Sequence, residues 1–210
     1  NIYRIVKIGE QTWMRKNLRV SHYADGTPIP EVREGWNFLD VDSKAFCWYE
    51  NNPLYSHAYG ALYTWSAMMN GAESSDLNPS EVQGVCPDGW HVPSEELEIY
   101  LGMDPAEADT IVFRERGEDF GGKLKESGYA HWRSPNTGAT HLSGFTAVAG
   151  GYRNPYGDFR YRTRNGFFWT SSLYEPDRPL ARGLSYVNTY IDRDYNNNFN
   201  AASVRCLKNN

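Results

Sequence analysis

What this chain lacks narrows its reading first. No apolar run approaches the roughly 20 residues that a membrane-spanning helix needs, so membrane insertion of this domain is not expected. Positive charge is not in excess: 21 Lys and Arg stand against 26 Asp and Glu, a formal net charge of −5. That balance argues against a whole-protein attraction to nucleic acid or to an anionic bilayer. Leu, Ile and Val are sparse while Trp, Tyr and Phe make up 15% of the residues, so the core must be built largely from aromatic rings. Cysteine is scarce too. Its 3 copies allow one disulfide with a thiol left over, or three buried thiols in a reducing compartment. Asn1 is not an initiator residue, and any targeting segment is expected upstream of it.

The usual catalytic spacings are missing as well. His22, His57, His91, His131 and His141 show neither H-x-x-x-H nor H-E-x-x-H, and none has a cysteine at metal-ligand spacing. His131 and His141 flank one loop, and the simplest expectation is one packed and one solvated imidazole. No G-x-S-x-G nucleophile elbow occurs. Gly121-Gly122-Lys123 lacks the glycine spacing and the hydroxyl residue of a phosphate loop. Glu118-Asp119 falls on an expected turn, where two carboxylates are simply solvated.

What is present is turn chemistry and short alternating segments. With 210 residues, 19 of them Gly and 11 Pro, one loop-rich domain over 1–210 is the default. Tyr3–Ile8 and Gln11–Met14 read as strands joined by a Gly9-Glu10 hairpin turn. Residues 21–37 read as a surface excursion pinned by Trp36 and Phe38. Ala45–Tyr49 is a short strand, and Tyr59–Met69 reads as a helix that is apolar almost all round. Cys86 to Ser94 packs several signals together. Pro87-Asp88-Gly89 is a tight turn, Trp90 to Val92 a short strand, and Ser94 a helix cap followed by Glu95 and Glu96. Asp104-Pro105 starts another helix, and Phe120–Lys125 offers a further helical turn. Strands are expected at 145–148, 167–171, 184–191 and 202–207, with a polar turn at 192–200. Few helices early and many short strands late place the chain in the α+β class. Trp13, Trp65, Trp90, Trp132 and Trp169 are the expected core, each indole N–H bonded to a backbone carbonyl.

Several blocks resemble one known family in order along nearly the whole chain. They include Ile8–Met14 with Asn17-Leu18, Tyr59–Trp65, Cys86–Ser94 and Gly121–Lys125. His131-Trp132, Ser143–Ala147, Gly150–Arg153, Phe168–Ser172 and Ser203–Cys206 complete the series. The resemblance is to the Fibrobacter succinogenes major paralogous domain, a bacterial family of secreted or surface-displayed modules. It implies a C-type-lectin-like fold distantly related to the sulfatase-modifying enzymes. It also implies a Cys86–Cys206 disulfide, which would close a loop of about 120 residues, worth about 4–5 kcal/mol in the chain-entropy model. The second cysteine that family members often carry shortly after the Cys47 position is absent, so Cys47 is expected to be a free, buried thiol. The reactive cysteine pair of the sulfatase-modifying enzymes has no counterpart near Cys206, and the histidine cluster of their iron-dependent relatives is also missing.

The expectation is a non-catalytic, exported binding module, monomeric, at the outer membrane through a lipid anchor or outside the cell. Its partner would be a glycan or a surface protein. The ligand-binding residues are placed on the loop from Tyr152 to Arg164, at Tyr156, Phe159, Arg160 and Tyr161, because aromatics interleaved with arginine are enriched where surfaces bind. No cofactor is required. Calcium is the one ion to test, on Asp192, Asp194 and the asparagines at 196–198, whose oxygens alternate along the chain. The competing readings are an enzyme of the sulfatase-modifying superfamily with a divergent site, and a structural spacer.

Overall fold

The computed structural model describes residues 1–33, 43–94, 96–110, 116–195 and 201–209. The chain opens on the expected hairpin, β1 (Ile5–Ile8) and β2 (Gln11–Met14), with Gly9 at φ 57° making the turn. After an irregular stretch come β3 (Phe46–Cys47), α1 (Ser56–Tyr59), β4 (Leu62–Tyr63), α2 (Trp65–Met69) and β5 (Trp90–His91). Three one-turn helices follow: α3 (Glu96–Tyr100), α4 (Pro105–Asp109) and α5 (Phe120–Leu124). The remainder is strand: β6 (Tyr152–Arg153), β7 (Phe159–Arg160), β8 (Asn165–Glu175), β9 (Arg178–Ser185), β10 (Asp192–Asp194) and β11 (Leu207–Lys208). Few helices and short antiparallel strands in small sheets fit the α+β class. None of the described helices is long and apolar enough to cross a membrane.

Four small sheets hold these strands. One has the order β1-β2-β11-β5, so the last strand lies between the opening hairpin and the strand that follows Cys86. A second is β10-β9-β8, and two-stranded ladders join β3 to β4 and β6 to β7. Alternation along the central strands decides where the core lies. In β8, Phe167 and Trp169 face one apolar cluster, with Met68, Val85 and Cys86, while Phe168 faces a second, with Trp13, Trp132 and Phe145. Met14 and Cys206 join the first cluster, and Trp13 and Leu207 the second. Strands buried on both faces explain how a chain poor in aliphatics closes two cores with rings.

The Cys86–Cys206 disulfide is formed, across a separation of 120 residues, and Cys47 is free and buried. Burial pushes the Cys47 thiol up to about 12, against the pull of the Arg153 charge. Asp104 caps α4 by accepting from the Ala106 N–H, as its sequence predicts.

Other expectations fail for identifiable reasons. The helix expected over 59–69 is broken: Gly60, at φ 76°, ends α1, the chain extends through β4, and Thr64 caps a new helix by accepting from Ala67 N–H. A Cβ on Gly60 would sit 2.6 Å from Asn17 Cβ, so the glycine also permits close chain contact. The strand expected at 184–191 ends at Ser185, and the turn expected at 192–200 begins instead with β10. Residues 145–148 make only an isolated bridge, Lys125 to Ala147. Ser94 donates its hydroxyl to the Leu77 carbonyl, a bond separate from its expected helix cap. Glu95, Trp36, Phe38 and the asparagines at 196–198 lie outside the described residues.

Of the five tryptophans expected in the core, Trp13, Trp132 and Trp169 are buried, while Trp65 and Trp90 are half-buried. The indoles of Trp65, Trp132 and Trp169 donate to the carbonyls of Thr170, Ala147 and Tyr63. Trp13 donates to the side chain of Gln11 instead.

Two buried ionic arrangements have no local sequence signal. Glu98 Oε1 accepts from Arg116 at 3.1 Å and also from Arg182 Nε. The ammonium of Lys125 donates to the carbonyls of Thr137, Ser185 and Asn188 at 2.7–2.8 Å. The paired glycines before it serve packing: a Cβ on Gly121 would lie 2.2 Å from the Tyr190 carbonyl oxygen, and one on Gly122 2.4 Å from that of Gly138.

Candidate binding site

The loop expected to bind is a hairpin, β6 paired with β7, and its four candidate residues have different surroundings. Tyr156 stands at the tip, 72% exposed, where its N–H is held by the Asn154 side chain. Tyr161 is also exposed, with its ring 5.7 Å from Tyr152. Arg160 is tied to Asp158 at 2.8 Å on the open surface, so the carboxylate already occupies part of its fork. Phe159 points inward, since neighbours on a strand project to opposite faces. Its ring lies 5.1 Å from Tyr49, and the Arg153 guanidinium is 5.3 Å from its centroid. The hairpin therefore leaves Tyr156, Arg160 and Tyr161 exposed and uses Phe159 as its anchor.

Behind that anchor the aromatic packing continues. Arg162 places its guanidinium 5.2 Å from the Tyr49 centroid, 4.2 Å from Tyr55 and 5.8 Å from Tyr59. Tyr59 in turn meets His131 edge to face at 5.4 Å. This chain of rings ends at a cleft of about 320 Å³, lined by Arg4, Arg15, Lys16, Asn17, His57, Ala58, Glu126, His131, Thr146, Val148 and Arg205.

The cleft is cationic in an anionic protein. Arg4, Arg15, Lys16 and Arg205 line it against one carboxylate, Glu126, which already accepts from His131 Nδ1 at 2.8 Å. Arg205 is 2% exposed, and its partners are neutral: the Asn17 side chain at 2.9 Å and the carbonyls of Phe145 and Thr146. Phe145 lies under it, with its centroid 4.2 Å away. A desolvated ring contact of that kind returns about 2 kcal/mol or more, and burying an ion costs several. Burial first, and then the charge of Arg15, draws the Arg205 guanidinium down to about 9, while Glu126 pulls the other way.

Thr146 fixes this geometry at a backbone cost. It sits at φ 58°, a left-handed conformation that β-branched residues rarely adopt. In that pose its carbonyl accepts from Arg205, while its hydroxyl accepts from Arg15 at 3.3 Å and donates to the Gly144 carbonyl. Arg15 also donates to His141 Nε2 at 3.4 Å. Both His131 and His141 are therefore half-buried and bonded, which corrects the expectation of one solvated ring.

A larger groove of about 730 Å³ carries Asp25, Glu73, Glu81 and Asp88 on its walls. These carboxylates are exposed, and Asp25 and Asp88 accept from the Thr27 N–H and the Gln83 side chain. Among the described residues no three His, Cys, Asp or Glu side chains come together to hold a metal. Asp192 and Asp194, two of the candidate calcium ligands, lie on β10, with Arg193 between them donating to the Asp109 carbonyl.

A family model, the Fibrobacter succinogenes major domain, matches residues 6–208. The chain belongs to this family. No curated protein and no solved structure matches it. The cleft draws its walls from separate family-resembling blocks: Asn17 from Asn17-Leu18, His131 from His131-Trp132, Thr146 from Ser143–Ala147 and Arg205 from Ser203–Cys206. From sequence, His131 is tested only as a metal ligand, and Asn17, Thr146 and Arg205 are assigned no site role.

Proposed function

We propose that this domain is a non-catalytic binding module of an exported, surface-displayed protein, with a glycan as its ligand. The observation that carries the reading is the continuity of ring and guanidinium contacts from the hairpin anchor Phe159, through Tyr49, Arg162 and Tyr59, to His131 at the cleft. Those packed groups seat the hairpin beside the cleft, and the exposed Tyr156, Arg160 and Tyr161 supply the aromatic faces and planar donor fork that would recognise a sugar ring and its hydroxyls at low entropic cost. A lectin-like architecture belongs to the same proposal. It is supported by the pairing of β11 with β2, which brings the two ends of the domain together, and by the bridge from Cys86 to Cys206. Export is supported by that disulfide, which persists in an oxidising compartment.

The test is a panel of immobilised glycans probed with the domain and with a variant carrying Tyr156→Ala, Arg160→Gln and Tyr161→Ala. These side chains are exposed, so the variant should keep the parent's melting temperature. Binding by the parent and its loss in the variant is the expected result. Equal binding by both moves the contact off the hairpin, and binding by neither favours a structural spacer.

A further inference from the structure

We infer that the cleft between Arg15 and Arg205 is an anion site that takes the carboxylate or sulfate of an acidic sugar. The sugar assignment rests on the binding reading above; the anion site itself does not. Charge balance is the first argument. Among the described residues, Arg205 is buried with only neutral hydrogen-bond partners, and Arg4 and Arg15 add charge beside it with no carboxylate paired to either. Glu126, the one acid on the walls, is engaged by His131. A buried cation without a counter-ion is an expensive arrangement, and an incoming anion would relieve it.

Preorganisation is the second argument. The left-handed Thr146 holds Arg205 by its carbonyl and Arg15 by its hydroxyl, so both forks are placed before any ligand arrives. Guanidinium groups match planar or tetrahedral oxyanions through paired N–H donors. Size is the third. At about 320 Å³ the cleft sits at the small end of ligand pockets, suited to one charged ring, and His131 borders it with an imidazole that Tyr59 backs edge to face.

The experiment is calorimetric titration at low ionic strength with sodium glucuronate, glucose 6-sulfate and neutral glucose. The arms are the parent domain, an Arg4→Gln/Arg15→Gln variant and the hairpin variant described above. The parent should bind at least one anionic sugar with millimolar affinity, weakening as salt rises, and should bind glucose at least 10-fold more weakly. The double arginine variant, folded by circular dichroism, should lose at least 10-fold, and the hairpin variant run beside it separates a failure of the hairpin reading from a failure of the site. Which anion binds tighter separates carboxylate from sulfate. Equal binding of glucose, no binding of either anion, or unchanged affinity in the arginine variant overturns the site. Cleft-dependent anion binding with a hairpin variant unaltered on the glycan panel would leave the site standing and remove the hairpin from the reading.

Discussion

Arg205 donates its Nε–H to the side-chain oxygen of Asn17, 2.9 Å away and 188 positions earlier in the chain. The same Asn17 amide donates to the Tyr59 carbonyl at 2.8 Å and to Ser203 Oγ at 3.0 Å. One buried amide thus ties the opening hairpin, α1 and the closing segment together, and it aims the guanidinium at the floor of the cleft.

Replacing Asn17 by Leu should therefore cost more than a lost hydrogen bond. It leaves a buried Arg205 donor and a carbonyl unsatisfied, at about 1–3 kcal/mol per group. Urea denaturation should show a loss of about 3 kcal/mol or more. A loss under about 1 kcal/mol would mean that water or a neighbour takes over these bonds.

The disulfide and the free thiol give a second prediction. Reducing Cys86–Cys206 should lower stability by about 4–5 kcal/mol if the chain-entropy model holds for a loop of this length. Cys47 should resist alkylation in the native protein at pH 8–9, where an ordinary thiol ionises, because burial holds its pKa up to about 12. Labelling should appear only in denaturant. Rapid native labelling at Cys47, or a Cys47–Cys86 peptide in a non-reduced digest, would contradict the structure.

The tryptophans give a third. Trp169 is buried, with its indole bonded to the Tyr63 carbonyl, so Trp169→Ala should cost about 3–5 kcal/mol. Trp90 is half-buried at the margin of the first core, and Trp90→Ala should cost clearly less. Equal melting temperatures for the two variants would show that burial does not set their contributions.

These residues show where sequence was informative. The Gly9-Glu10 turn, the Asp104 cap and the Phe167–Ser171 strand are local events, decided by residues a few positions apart, and all three were legible. The break at Gly60 was not, because an apolar run read as one helix conceals a glycine whose reason is contact with Asn17, far away in sequence. The ion cluster of Glu98, Arg116 and Arg182 was likewise invisible, since no spacing announces partners 84 residues apart. The cleft is the extreme case. Its walls come from positions 4 to 205, so each residue looks like scaffold until the fold assembles them. The hairpin stands out in the sequence because its aromatics and arginines are adjacent there, and only the fold shows Phe159 turned inward as its anchor.

The most direct test of the account is a residue-resolved map of amide chemical-shift changes as an acidic oligosaccharide is added to the labelled domain. The account predicts changes concentrated at Arg15, Asn17, His131, Thr146 and Arg205, extending through Tyr59 toward Arg160 and Tyr161, and abolished by Arg4→Gln/Arg15→Gln. Changes confined to the acidic groove around Asp25, Glu81 and Asp88, or scattered with no focus on the cleft, would contradict it.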